Sequence, residues 1–241
     1  MRMRKKPNLV PRMEKCAAVQ IRQPKLLRGS WRQEFSEKEK LWLELGCGKG
    51  RFTVGTAREN PNTMLIALEK VADAMVIGME RVCSAEIDNV RFMDIDALEL
   101  REIFQKGEID RIFINFCDPW PKSRDAKHRL TAPGFLRSYA DLLDIGGEIH
   151  FKTDNRPLFD WSVEQFTADG WELREVTNDL HINGICGVMT DYEAKFHDKG
   201  IPINRLVAVR RENTKDGTSG EVPRLRNAAL ADARGAQEEK E

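Results

Sequence analysis

The sequence predicts an α/β fold, a mostly parallel sheet with helices on both faces. Three observations carry that prediction. Short apolar runs alternate with longer amphipathic stretches between residues 41 and 177. The connections between them are compact, with glycines or prolines at several of the ends. The runs are near-continuously apolar, as strands buried on both faces must be.

Taken in order, Leu41 to Leu45 (LWLEL) reads as a buried strand ended by Gly46. Residues 51–59 read as a helix closed before Pro61, because proline lacks the N–H a helix interior needs. Met64 to Leu68 (MLIAL) is a second strand, and residues 71–83 carry apolar side chains at helical spacing. Val90 to Met93 is a third strand and Ala97 to Phe104 a short helix. Ile109 to Phe116 (IDRIFINF) is the most hydrophobic strand of the chain. Pro133 to Leu143 makes a helix, with Pro133 tolerated in its first turn and Thr131 or Ala132 as the cap. Gly147 to Lys152 returns as a strand, residues 156–168 as a helix and 171–177 as a strand.

With 41% hydrophobic and 32% charged residues, the 241-residue chain has the make-up of a globular domain with a real core. No run approaches the roughly 18 apolar residues of a membrane helix. The basic start (Arg2, Arg4, Lys5, Lys6) leads only into short apolar patches, which argues against a secretory signal. Cys16, Cys47, Cys83, Cys117 and Cys186 form no CxxC pair, and the four histidines form no HxH or HExxH pair. That pattern predicts reduced thiols in the cytoplasm, no disulfide framework and no metal site.

Formal charge is zero, yet unevenly spread. Residues 1–28 hold nine Lys or Arg against Glu14 alone, a net of +8, so residues 29–241 carry −8. Such an arm suits a polyanion, whose phosphates attract cations and release counterions; a solvated terminus is the plainer alternative. The division expected is a partly ordered basic arm (1–28), one catalytic domain (29–211) and a charged, disordered tail (212–241). Nothing in the sequence chooses between monomer and homodimer.

Leu43-Glu44-Leu45-Gly46-Cys47-Gly48-Lys49-Gly50 lies between a strand and a helix. Glycines there let the backbone bend sharply and approach a ligand, while the helix offers its positive end. Glu69, 23 positions after Gly46, ends the second strand, where a carboxylate can accept both ribose hydroxyls of an adenosine. The spacing is GxGxG, not the GxGxxG of a dinucleotide site, and Glu44 would repel a pyrophosphate while attracting an ammonium. The pattern resembles the class I methyltransferase fold, whose cofactor is S-adenosylmethionine. Asp96 fits the adenine-reading position of that superfamily, with Asp94 a competitor and a helix N-cap the alternative role.

Asn115-Phe116-Cys117-Asp118-Pro119-Trp120-Pro121-Lys122-Ser123-Arg124 follows the strongest strand, at the end where open parallel sheets bind ligands. Two prolines around Trp120 stiffen this loop so that it can hold an acid and a ring over a base. Lys122, Arg124, Lys127, His128 and Arg129 then supply cations for phosphates, with Asp125 the one acid among them. A packed surface loop with solvated charges is the alternative.

The run DPWPKSRDAKHRL resembles the signature loop of the bacterial tRNA (guanine-N7)-methyltransferases, usually DPWPK-x-RH-x-KRRL. LELGCGKG, Leu68-Glu69, Ile95-Asp96-Ala97, Phe151-Lys152-Thr153-Asp154-Asn155 and Thr190-Asp191-Tyr192-Glu193 with Lys195-Phe196 match that family's order and spacing. The resemblance spans roughly residues 30–210. Asp125 stands where the family usually has His, and His128 where it has Arg; both lower the loop's positive charge. The resemblance implies a Rossmann-like fold with a seven-stranded sheet, S-adenosylmethionine as cofactor and tRNA as partner, with a variable-loop guanine as target. It implies that Glu44, Gly46, Gly48, Gly50, Glu69, Asp96 and Asp118 hold the cofactor. Lys122, Asp154, Thr190, Asp191, Tyr192 and Glu193 would meet the target nucleoside, and Asp118 would be catalytic.

Thr190 and Glu193 also fit a helix capping box, and Asp154 a turn or cap residue. Guanine N7 has an in-plane lone pair and needs no base to attack a sulfonium methyl. Catalysis then rests on alignment and on carboxylates facing the positive charge that develops on the purine. Cys47 and Cys117 flank the site, but direct transfer needs no thiol nucleophile. Rival readings are an exocyclic-amine nucleobase methyltransferase, since Asp-Pro-Trp-Pro is shaped like its Asn/Asp-Pro-Pro-aromatic motif, and a non-catalytic tRNA-binding module. A nicotinamide dehydrogenase is more distant.

Overall fold

The apolar runs become neighbours in one sheet. The computed structural model describes residues 7–218. Its strands are β1 (Lys40–Leu45), β2 (Thr63–Leu68), β3 (Val90–Met93), β4 (Ile109–Asn115), β5 (Leu143–Thr153), β6 (Glu172–Thr177) and β7 (Asn204–Val209). They stand in the order β3-β2-β1-β4-β5-β7-β6. The first five are parallel, and β7 runs antiparallel to both β5 and β6. The sheet is therefore seven-stranded and mostly parallel. The six runs identified in the sequence are six of these strands; β7 is the seventh, and it slips between β5 and β6.

Among the described residues, eight α-helices accompany the sheet: α1 (Leu9–Lys15), α2 (Trp31–Glu34), α3 (Arg51–Glu59), α4 (Ala72–Ser84), α5 (Leu100–Ile103), α6 (Pro133–Leu142), α7 (Arg156–Ala168) and α8 (Asp191–His197). Because side chains alternate along a strand, β1 serves two cores. Leu41, Leu43 and Leu45 join Leu136 and Tyr139 of α6, Phe159 and Phe166 of α7 and Trp31 of α2. Trp42 points the other way, toward Phe52 of α3 and Met75 and Met79 of α4. The helix expected over 97–104 is split. Asp96 caps a 3-10 turn at Ala97–Glu99, accepting from the Leu98 N–H at 3.0 Å, and only Leu100–Ile103 is α-helical.

The basic arm lies along the β3 edge. Gln20 pairs with Phe92, and the Ile21 N–H reaches the Phe92 carbonyl at 2.9 Å, which blocks that strand from pairing elsewhere. Two of the arm's described cations are met by acids of the body. Arg12 grips Glu80 through two bonds of 2.7 Å, and Lys25 sits 2.5 Å from Glu102 and 3.3 Å from Glu99. At the other end Thr214 is buried, its hydroxyl 3.0 Å from the Gly170 carbonyl. The tail expectation for residues 219–241, and residues 1–6 of the arm, lie outside the described residues. Among the described residues no helix is long and apolar enough to cross a membrane.

Candidate active site

Strand order turns back at β1, which has β2 on one side and β4 on the other. Such a switch point opens a crevice at the carboxyl ends of the strands. Glu44, Glu69, Asp118 and Asp154 all stand there, at or just beyond the ends of β1, β2, β4 and β5, with Asp96 following β3.

The β1–β2 half is tied to itself. The Gly46 and Cys47 N–H groups both donate to the Leu68 carbonyl at 2.9 Å. Glu69 accepts from Gly48 N–H at 2.9 Å with one oxygen and from Val71 N–H at 2.8 Å with the other. Gly46, Gly48 and Gly50 all have positive φ. Gly50 is the tightest: a Cβ there would lie 2.8 Å from the Cα of Gly78, so α3 starts directly against α4. Glu44 is 1% exposed, and the Thr53 hydroxyl donates to it at 2.6 Å. Burial pushes its carboxyl up to about 7, against the opposing pull of the Thr53 bond, the neighbouring Asn115 amide and the Lys152 charge. A buried acid so lightly neutralised can receive a ligand's cationic end. Asp96 uses Oδ1 as a cap, while Oδ2 lies 3.7 Å from Lys70, so both of its expected roles remain open to one side chain.

The β4–β5 half is strained and unengaged. Phe116 (φ 54°) and Trp120 (φ 42°) are non-glycine residues in the left-handed region, at about 1–3 kcal/mol each. Arg129 holds that shape. Its Nε donates to the Pro119 carbonyl at 3.0 Å, its Nη2 to the Trp120 carbonyl at 2.9 Å, and its guanidinium lies 4.4 Å over the Trp161 ring. Its main engagement is thus with its own loop. Trp120 remains 38% exposed beside His128, with ring centroids 5.2 Å apart. Asp118, Lys122, Lys127 and His128 are exposed, and Arg124 has only a 3.9 Å contact with Asp125. Asp118 makes no hydrogen bond or ion pair among the described residues. Neither does Asp154, because the α7 cap expected of it is made by Asn155, which accepts from Leu158 N–H at 2.8 Å. Asn115 is buried at the end of β4, beside Glu44.

A family model described as "Putative methyltransferase" matches residues 38–206. A tRNA (guanine-N(7)-)-methyltransferase of Listeria monocytogenes serotype 4b is 43% identical over 209 residues, covering 86% of this chain and 98% of that one. A protein of the same description from an Exiguobacterium species is 41% identical over 212 residues, covering 88% and 99%. The chain belongs to the tRNA (guanine-N(7)-)-methyltransferase family. Among solved structures, the 16S rRNA methyltransferase KamB superposes with a TM-score of 0.60 at 16% identity, over 76% of this chain and 93% of that one. That likeness establishes the α/β class I methyltransferase fold.

The family's Thr190–Glu193 segment is largely engaged within this chain. Thr190 and Glu193 form the capping box of α8, at 2.9 and 3.1 Å. Asp191 is paired with Arg81 at 2.9 Å, and Arg81 also donates to the Lys49 carbonyl of the glycine loop at 2.9 Å. Tyr192 is 60% exposed. Lys152, His181 and Arg81 contact this segment and, like Asn115 at the end of β4, were not singled out by the sequence. Lys152 and Asn115 sat inside quoted motifs, whereas His181 and Arg81 carried no local signal. The flanking thiols are un-ionised: burial and the Asp118 charge push Cys117 up to about 12, and burial drives Cys47 well above the ordinary range.

Proposed function

We propose that this chain transfers a methyl group from S-adenosylmethionine to N7 of a guanine in tRNA, in the variable loop. The observation that carries this reading is the β4 loop. Arg129 holds Asp-Pro-Trp-Pro in a strained shape that leaves Asp118 unpaired just beyond β4, next to the strand that ends before Asp154, with an aromatic ring and exposed cations on the same loop.

The residues present fit the cofactor. Glu44 is a buried carboxyl suited to an ammonium, with the buried Asn115 amide beside it. Glu69 keeps lone pairs for ribose hydroxyls beside its two backbone bonds, and Asp96 keeps Oδ2 for an adenine amino group. Gly46, Gly48 and Gly50 give the backbone access to it. S-adenosylmethionine supplies the activated methyl group.

No residue has to remove a proton. N7 attacks with its own lone pair, so the chain's tasks are alignment and charge compensation. Asp118 and Asp154 accept from guanine N1–H and the exocyclic amine, and their charges stabilise the cationic purine more than the neutral one. Lys122, Arg124, Lys127 and His128 meet phosphates. The five free cysteines suit the reducing cytoplasm.

The test is nucleoside mass spectrometry on unmodified tRNA incubated with the purified protein and S-adenosylmethionine. New 7-methylguanosine is expected. A methylated exocyclic amine would move the protein to another specificity, and bound but unmethylated tRNA would leave a binding module; either result overturns the proposal.

A further inference from the structure

Glu193 has no exposed surface, and both of its oxygens are taken. Oε2 accepts from Lys152 Nζ at 2.6 Å and from the Thr190 N–H at 3.1 Å. Oε1 lies 3.0 Å from His181 Nε2. The proton on that ring is fixed by geometry: the Cys186 N–H donates to His181 Nδ1 at 3.2 Å, so Nε2 carries the hydrogen and gives it to Glu193. Lys152 is equally enclosed. Its side chain is 9% exposed, its ammonium also donates to the Val188 carbonyl at 3.1 Å, and it lies 5.1 Å from the Phe52 ring centroid. The segment 181–190 is therefore fastened at His181, Val188 and Thr190 to two buried side chains. It passes so close to α3 that a Cβ on Gly55 would come within 2.5 Å of Val188.

A carboxylate in this state cannot also serve a guanine. Withdrawing it would leave Lys152 charged, buried and unpaired, which is more costly than never having formed the pair. We infer that Glu193 is a positioning residue, and that Lys152 and His181 are its working partners. Together they tether Thr190, Asp191 and Tyr192 to the end of β5, where Lys152 stands two residues before Asp154. The contact to the target base then falls to the exposed Tyr192 and to Asp118 and Asp154, not to Glu193. This inference rests on the methyl transfer proposed above.

The experiment is a double-mutant cycle with Lys152→Met and Glu193→Gln, reading KM for tRNA, kcat and the Kd for S-adenosylmethionine. Each single variant is expected to raise KM about tenfold or more with a smaller fall in kcat, since each leaves one buried group unpaired. Cofactor Kd stays within about twofold for Glu193→Gln, whereas Lys152→Met also weakens cofactor binding because its charge no longer holds the Glu44 carboxyl down. The double variant is expected to do no worse than either single, because the remaining groups are neutral. If Glu193→Gln costs the same factor in the Lys152→Met background as in wild type, Glu193 acts on the base directly and the inference falls. Equal losses of cofactor and tRNA binding in every variant would make the trio merely structural, which also overturns it. Should Lys152→Met fail to fold, His181→Ala with Glu193→Gln provides the same cycle, since Glu193 then keeps Lys152. His181→Gln, which retains an N–H donor, is expected to recover most of the loss of His181→Ala. An inactive wild-type protein would instead defeat the proposed reaction, so the two failures are distinguishable.

Discussion

The two halves of the cleft are built in opposite ways. At the ends of β1 and β2, backbone N–H groups of the glycine loop close onto Leu68 and Glu69, and the loop is shaped before any ligand arrives. At the ends of β4 and β5, Asp118 and Asp154 engage nothing among the described residues, and Phe116 and Trp120 hold strained backbone. Under the function proposed above, the first half receives a small ligand of fixed shape, for which preorganisation lowers the cost of binding, and the second keeps its polar groups free for a large polyanion. Two buried carboxylates repeat the contrast. Glu44 has only neutral partners, the Thr53 hydroxyl at 2.6 Å and the Asn115 amide, and is pushed up to about 7, whereas Glu193 is saturated by Lys152, His181 and Thr190.

The sharpest way to break the comparison is Asp118→Ala. If the β4 end is where charge is stabilised, turnover falls about 10²–10³-fold, the scale of losing one preorganised electrostatic group. Cofactor affinity should change far less, as the loop that shapes the other half is untouched. Single-turnover methylation and calorimetric binding of S-adenosylmethionine separate the two. Turnover within threefold of wild type would remove Asp118 from the reaction.

The preorganised half is tested through its backbone. Gly50→Ala places a Cβ 2.8 Å from the Gly78 Cα at φ 74°, where neither backbone can give way. Left-handed strain plus overpacking predicts a loss of about 2–4 kcal/mol in urea unfolding. Gly48→Ala, at φ 57° with open space around the added Cβ, should cost only the backbone share, about 1–2 kcal/mol. Equal losses at the two positions would mean that the close approach of α3 to α4 carries no weight.

How much of this was legible depends on distance along the chain. The strands were readable because continuous apolar runs between turn residues have few other uses. β7 (Asn204–Val209) was not placed: its apolar composition resembles the rest, but its antiparallel seat depends on pairing with β5, some fifty residues away. The Thr190–Glu193 capping box was readable because it is local. Its burial was not, because Lys152 and His181 approach Glu193 from 41 and 12 residues away. Asp154 looked like a cap, and only the fold shows that Asn155 fills that place.

A smaller effect follows from Glu44. Its folded pKa of about 7 lies above the ordinary carboxylate value. Its contribution to stability is therefore full at low pH and is lost as pH rises through about 7. A ligand ammonium favours the opposite, ionised form. Affinity for S-adenosylmethionine should then rise with pH, about tenfold between pH 6 and 8 if only ionised Glu44 binds it. Glu44→Gln should bind more weakly and show a flat profile. Calorimetry across that range decides it, and a flat wild-type profile would mean that Glu44 is already ionised in the free protein.

The smallest expected effect belongs to the cysteines that flank both halves. Cys47 lies in the shaped loop and Cys117 beside Asp118, the two places where a nucleophile would be sought. A thiol attacks as its thiolate, and burial raises both groups, Cys117 to about 12, so neither is ionised near neutrality. Cys47→Ala and Cys117→Ala should each keep methylation within about threefold of wild type, the residual loss reflecting packing rather than chemistry. The two halves then make the outcome informative in different ways. Loss at Cys47 alone, with weaker cofactor binding, would report on the fit of the glycine loop against α3. Loss of all turnover at Cys117 with both ligands still bound would point to a covalent intermediate, and the direct attack of N7 on the methyl group would have to be given up.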